Sequence, residues 1–124
     1  MSHGFIPSVW VAGGILCLVA PLAQAHASLK VALPAANAVV ATAPAQVELS
    51  FSQALEPALS RIEVRNAAGE RVDQHAAHAI DGDAHRLGVA LKPALPPGAY
   101  RVDWQAASVD THRTTGNFSF QVGK

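Results

Sequence analysis

Residues Gln46-Val47-Glu48-Leu49-Ser50-Phe51-Ser52 alternate without a break, with Val47, Leu49 and Phe51 on one side and Glu48 and Ser50 on the other. Successive side chains of an extended backbone point to opposite faces, so this run builds a strand with one face in a core and one in water. The same period recurs outward in both directions. Toward the C-terminus, Leu59 to Asn66 places Ile62 and Val64 inward, Asn66-Ala67-Ala68-Gly69 turns the chain back, and Glu70 to Gln74 is the expected hairpin partner. Arg86 to Leu91 alternates through Leu87, Val89 and Leu91, and Pro93 to Gly98 is too rich in proline to be a strand. Tyr100, Val102 and Trp104 share one face of Ala99 to Ala106, as Phe118, Phe120 and Val122 do on Asn117 to Val122. Toward the N-terminus, Ser28 to Leu33 is a short apolar run closed by Pro34, and an alanine-rich connection leads to Pro44. No stretch sustains a helical period. About seven short strands in about a hundred residues predict an all-β fold, a single antiparallel sandwich of the immunoglobulin-like or Greek-key kind. Tyr100, Trp104, Phe118 and Phe120 are assigned to its core.

Before this domain, Phe5 to Ala25 is almost wholly apolar, with Pro21 near its end and the small-x-small tripeptide Ala23-Gln24-Ala25. This is the pattern of a secretory signal, so residues 1–25 are expected to be cleaved on export to a periplasm and 26–124 to form the domain. Ala25-His26-Ala27 has the same form, and cleavage there would start the chain at Ser28 instead. An uncleaved membrane anchor is the competing reading, since the leading residues lack Lys and Arg. The single cysteine, Cys17, falls inside the leader, so a mature chain has neither thiol nor disulfide and is held by packing alone. Nine Lys and Arg balance nine Asp and Glu, which leaves no basic stripe for a phosphate backbone and excludes nucleic acid as the expected partner.

Between the Tyr100 strand and the Phe118 strand lies Ser108-Val109-Asp110-Thr111-His112-Arg113. On an extended backbone residues two apart point the same way, so Asp110 and His112 are expected to converge while Thr111 faces away. Alone, Asp-x-His carries little, because both residues are common in solvated loops.

The wider pattern carries more. Tyr100-Arg-Val-Asp-Trp104, Ala107-Ser-Val-Asp-Thr-His112 and Gly116-Asn-Phe-Ser-Phe120 together resemble the C-terminal part of the CopC/PcoC family of periplasmic copper-resistance proteins. His26-Ala-Ser-Leu-Lys30, Pro34-Ala35-Ala36, Ala43-Pro44 with Val47 to Ser52, and Leu95-Pro-Pro-Gly98-Ala-Tyr100 resemble its earlier segments. The resemblance covers essentially the whole chain after Ala25. It implies a cupredoxin-like β-barrel or sandwich that binds Cu(II) at one end. Carried onto this chain, His26 at a free N-terminus supplies α-amine and imidazole, His112 a third nitrogen and Asp110 an oxygen, a tetragonal set suited to Cu(II). Because amine and imidazole must be deprotonated to bind, affinity is expected to fall with pH. The family's usual partner is the inner-membrane copper transport protein CopD. A site built from one terminus and one loop needs no second subunit, so a monomer is expected.

Two departures narrow the function. Met1 is the only methionine, so the exported chain has no thioether for the Cu(I) site that some family members build, and Gln53 stands where the family often has a Glu. His75, His78 and His85, with Asp81 and Asp83, form a further polar cluster expected on a loop, read as a solvated segment with a weak second metal site as the alternative. The expected function is that of a Cu(II) carrier or buffer in copper resistance or homeostasis, and not an enzyme. The competing functions are a copper oxidase or monooxygenase built on an N-terminal histidine brace, and a metal-free immunoglobulin-like structural module.

Overall fold

The computed structural model describes residues 26–123; the expected signal segment and its expected cleavage point lie outside them. Eight strands run in the order β1 (Leu29–Leu33), β2 (Val39–Val40), β3 (Gln46–Phe51), β4 (Arg61–Asn66), β5 (Asp73–Ile80), β6 (Asp83–Leu91), β7 (Gly98–Ala107) and β8 (Arg113–Val122), with a 3-10 turn at Pro57–Leu59. They form two four-stranded sheets, β1-β3-β6-β5 and β2-β8-β7-β4, the all-β sandwich that the alternation predicts. All pairings are antiparallel except β2 with β8, which is parallel.

The core is the set of inward positions. On β3, Val47, Leu49 and Phe51 are buried and their neighbours are half-exposed. Leu87, Val89 and Leu91 meet them from β6, and Ile62, Val64, Tyr100, Val102, Phe120 and Val122 close the core from the second sheet. Tyr100 stacks on Phe120 with ring centres 5.7 Å apart, and its hydroxyl donates 2.5 Å back to the Pro96 carbonyl. This satisfies the polar tip of a ring that is otherwise buried, and it pins the Leu95-Pro-Pro-Gly98 turn.

Three expectations are corrected. Glu70 to Gln74 is not a full hairpin partner of β4. Asn66 N–H donates to the Glu70 carbonyl and Val72 N–H to the Val64 carbonyl, and then the chain crosses to the other sheet. Asp73 fixes the crossing, since its carboxylate accepts from Val64 N–H at 2.7 Å and from Arg71 at 2.6 and 2.8 Å. The histidine cluster is not a loop either. His75 and His78 lie on β5 and His85 on β6, joined by a two-residue turn at Asp81 and Gly82, whose φ values of 53° and 74° are those a tight hairpin requires. Finally, the alanine-rich connection contains β2, paired to β8 through Gln121 N–H to the Ala38 carbonyl and Gly123 N–H to the Val40 carbonyl, with Val40 packed against the core.

Strand direction decides what gathers at each end. β3 ends at Phe51 opposite the start of β1, and at this same end β7 runs into β8. The N-terminal residues and the Asp110 loop therefore share one rim of the sandwich.

Candidate metal centre

The β7–β8 connection is shorter than the sequence suggests, because β8 begins at Arg113 and only Ser108 to His112 remain to turn the chain. Ser108 N–H donates to the His112 carbonyl at 2.9 Å and Thr111 N–H to the Ser108 carbonyl at 2.8 Å, which closes the loop on itself. Thr111 takes φ = 74°, a left-handed conformation that is costly for a β-branched residue. Asp110 and His112 do converge, but through this turn rather than along an extended backbone. The loop is sewn to the body by Val109 N–H to the Ala54 carbonyl and Glu56 N–H to the Ala107 carbonyl. Beneath it, Ser60 accepts from Ala107 N–H at 3.0 Å.

Ser108 is the residue that sequence reasoning missed. It is 2% exposed, yet its hydroxyl donates to Asp110 Oδ1. His112 N–H approaches the same oxygen at 3.3 Å, and His112 Nδ1 lies 3.3 Å from it. The Ser108 hydrogen bond is the largest reason that Asp110 titrates below the ordinary carboxylate range; partial desolvation opposes it, and the His112 N–H and ring add to it. Asp110 is thus a carboxylate held in its charged form on a half-exposed side chain. Its place two residues before Asp110 on the same turn is the only signal that singles out Ser108.

His26 reaches the same rim. Its ring meets that of His112 edge-on, with centres 5.2 Å apart and planes at 85°. With metal–nitrogen bonds of about 2 Å, two imidazoles sharing one ion have ring centres roughly 4.5 to 6.3 Å apart, and the observed spacing falls within that range. The three predicted ligands are linked through His112 and do not yet surround a common point. Among the described residues no group of three or more His, Cys, Asp or Glu is gathered tightly enough to hold a metal from side chains alone.

The other candidates stay apart. His85 Nδ1 lies 3.5 Å from Asp83, while His75 and His78 sit at exposed positions of β5 with a bulge between them. A groove of about 350 Å³ on the outer face of β4, β7 and β8 is lined by Arg61, Glu63, Asp103 and Gln105, among others. Its carboxylates are already engaged, Glu63 by Arg65 and Arg71, and Asp103 by Arg101.

Residues 29–123 match the CopC domain family model. Protein YobA of Escherichia coli K12 is 39% identical over 105 residues, covering 85% of this chain and 85% of that protein. Copper resistance protein C of Escherichia coli is 37% identical over 116 residues, covering 89% of this chain and 91% of that one. The crystal structure of CopC from Methylosinus trichosporium OB3b superposes with a TM-score of 0.72 at 32% identity, covering 78% of this chain and 93% of that one.

Proposed function

The chain belongs to the CopC family, and we propose that within it this protein is an exported Cu(II) carrier or buffer serving copper resistance or homeostasis. The observation that carries the reading is the meeting of His26 with His112 beside an ionised Asp110. Two imidazoles, an α-amine and a carboxylate are the nitrogen-rich, tetragonal donors that suit Cu(II). Asp110 and His112 are each 51% exposed in their side chains, so an ion can enter and leave without opening the fold. That suits cargo better than a resident cofactor, and it favours a carrier over an oxidase. The exported chain carries no methionine, so the reading assigns it no thioether Cu(I) site.

The leader is cut after Ala25 in this reading. Support comes from Ala27, which is 1% exposed within the core, so cutting after Ala27 would remove a core residue as well as a ligand. The acceptor is a membrane copper transporter of the CopD kind, and the protein acts as a monomer, since one chain supplies every donor.

The test uses Trp104, the only tryptophan after the leader. Cu(II) added to the exported protein should quench its emission with a one-to-one end point, and His112→Ala should abolish tight quenching. Equal titrations of the two proteins would refute the ligand assignment.

A further inference from the structure

His26 precedes the first strand by three residues, a position where a chain end ordinarily frays. Here the two residues that follow it are held by both sheets. The Ala27 side chain is in the core, and the Ala27 carbonyl accepts a hydrogen bond of 2.9 Å from the Thr114 hydroxyl on β8. Ser28 N–H donates to the Ser52 hydroxyl at 2.9 Å, and Ser52 N–H donates to the Ser28 carbonyl at 2.9 Å. The second pair continues the β1–β3 ladder by one step, with a side chain replacing a backbone acceptor. The first pair ties the terminus to the strand that leads directly from His112, since only Arg113 separates His112 from Thr114.

We infer that Thr114, assisted by Ser52, is a positioning residue for His26: it fixes the backbone on which the amine–imidazole chelate is built and sets that chelate's distance from His112. The inference rests on the copper reading above. Neither hydroxyl touches the ion. Their effect is to order the terminus before the metal arrives, so that the binding step does not carry the entropy of ordering it. Releasing that backbone restores conformational freedom that binding must then remove. The expected effect is a roughly tenfold weaker Cu(II) complex, about 1.4 kcal/mol. The weakening should appear as faster dissociation, because the solvent-side approach is unchanged.

The experiment compares the exported wild-type protein with Thr114→Val, which keeps the shape and removes the donor, and Thr114→Ser, which restores it. Cu(II) affinity is measured by competition against a chelator through Trp104 emission, at a temperature where circular dichroism shows every variant folded, and EPR spectra are recorded on each complex. The inference expects Thr114→Val to bind about tenfold more weakly with an EPR signal split into a native and an amine-free species, and Thr114→Ser to bind within about twofold of wild type. A purely structural role would lower the melting temperature and leave affinity and spectrum unchanged, which would overturn the inference. So would Thr114→Ser binding as weakly as Thr114→Val. Should Thr114→Val fail to fold, Ser52→Ala tests the second tie by the same readouts, and wild-type affinity in that variant would refute the positioning role. Absence of Cu(II) binding by the wild-type protein would refute the copper reading itself, a result distinct from all of these.

Discussion

Gly116→Ala is the substitution whose cost the structure fixes most directly. Gly116 faces Trp104 across the β7–β8 ladder, on the inward side shared with Phe118 and Phe120. A Cβ there would lie 2.4 Å from Trp104 Cζ2 and 2.7 Å from Cε2. Carbon atoms pack best at about 3.5–4.0 Å, so the new methyl intrudes by roughly 1 Å. The indole cannot retreat inward, since the Phe51 ring stands edge-on to it with centres 5.2 Å apart. Either β8 bows away or the half-buried indole swings out and gives up its contact with Phe51. Overpacking of this kind costs about 2 kcal/mol, and in a domain of this size that lowers the melting temperature by roughly 10 °C. Thermal unfolding followed by far-UV circular dichroism reads the shift, and red-shifted Trp104 emission reports the displaced ring. The cost should vanish in a Trp104→Leu background, as a double-mutant cycle would detect. An unchanged melting temperature and emission in Gly116→Ala would refute the packing argument.

Two further expectations concern charge. Burial alone would raise the Asp73 pKa, but the Arg71 guanidinium and the Val64 N–H more than offset it and hold the carboxyl below its ordinary value. A depressed folded-state pKa contributes stability above the unfolded-state value of about 3.9, and this is lost as pH falls through the folded value. Asp73→Asn should therefore destabilise the protein by about 1–3 kcal/mol at neutral pH, and the gap in urea midpoints should narrow as pH falls below the unfolded-state value of about 3.9; a gap that does not narrow on acidification would contradict the assignment. Copper binding should weaken in the same direction, since protons compete for the proposed nitrogen donors. Competition titrations should give an affinity that falls steadily between about pH 8 and pH 5, and a flat profile would exclude amine and imidazole ligation.

Side-chain alternation made β3, β4, β7 and β8 legible, because each buries one face and exposes the other. β5 hid because Ala76, Ala77 and Ala79 carry too little apolar bulk to mark a face, and its bulge at His75 breaks the period. The dipeptide Asp81-Gly82 was the available signal for that hairpin. β2 was not readable at all, since two valines paired through their backbone have no pattern to display. At the rim, residue type and resemblance pointed to His26, Asp110 and His112. The turn at Thr111 and the buried Ser108 hydroxyl could not be read, because both depend on how the loop closes against Ala54 and Ala107. The hold on Ala27 and Ser28 was equally hidden, as it joins residues 87 and 24 positions apart in sequence.

The most direct test of the account is a native mass spectrum of the chain exported to a bacterial periplasm and mixed with one equivalent of Cu(II), because it reports the N-terminus and the metal in one measurement. The account predicts a mass that begins at His26 and carries one copper. A mass that begins at Ser28, or a His26 chain with no copper bound, would contradict it.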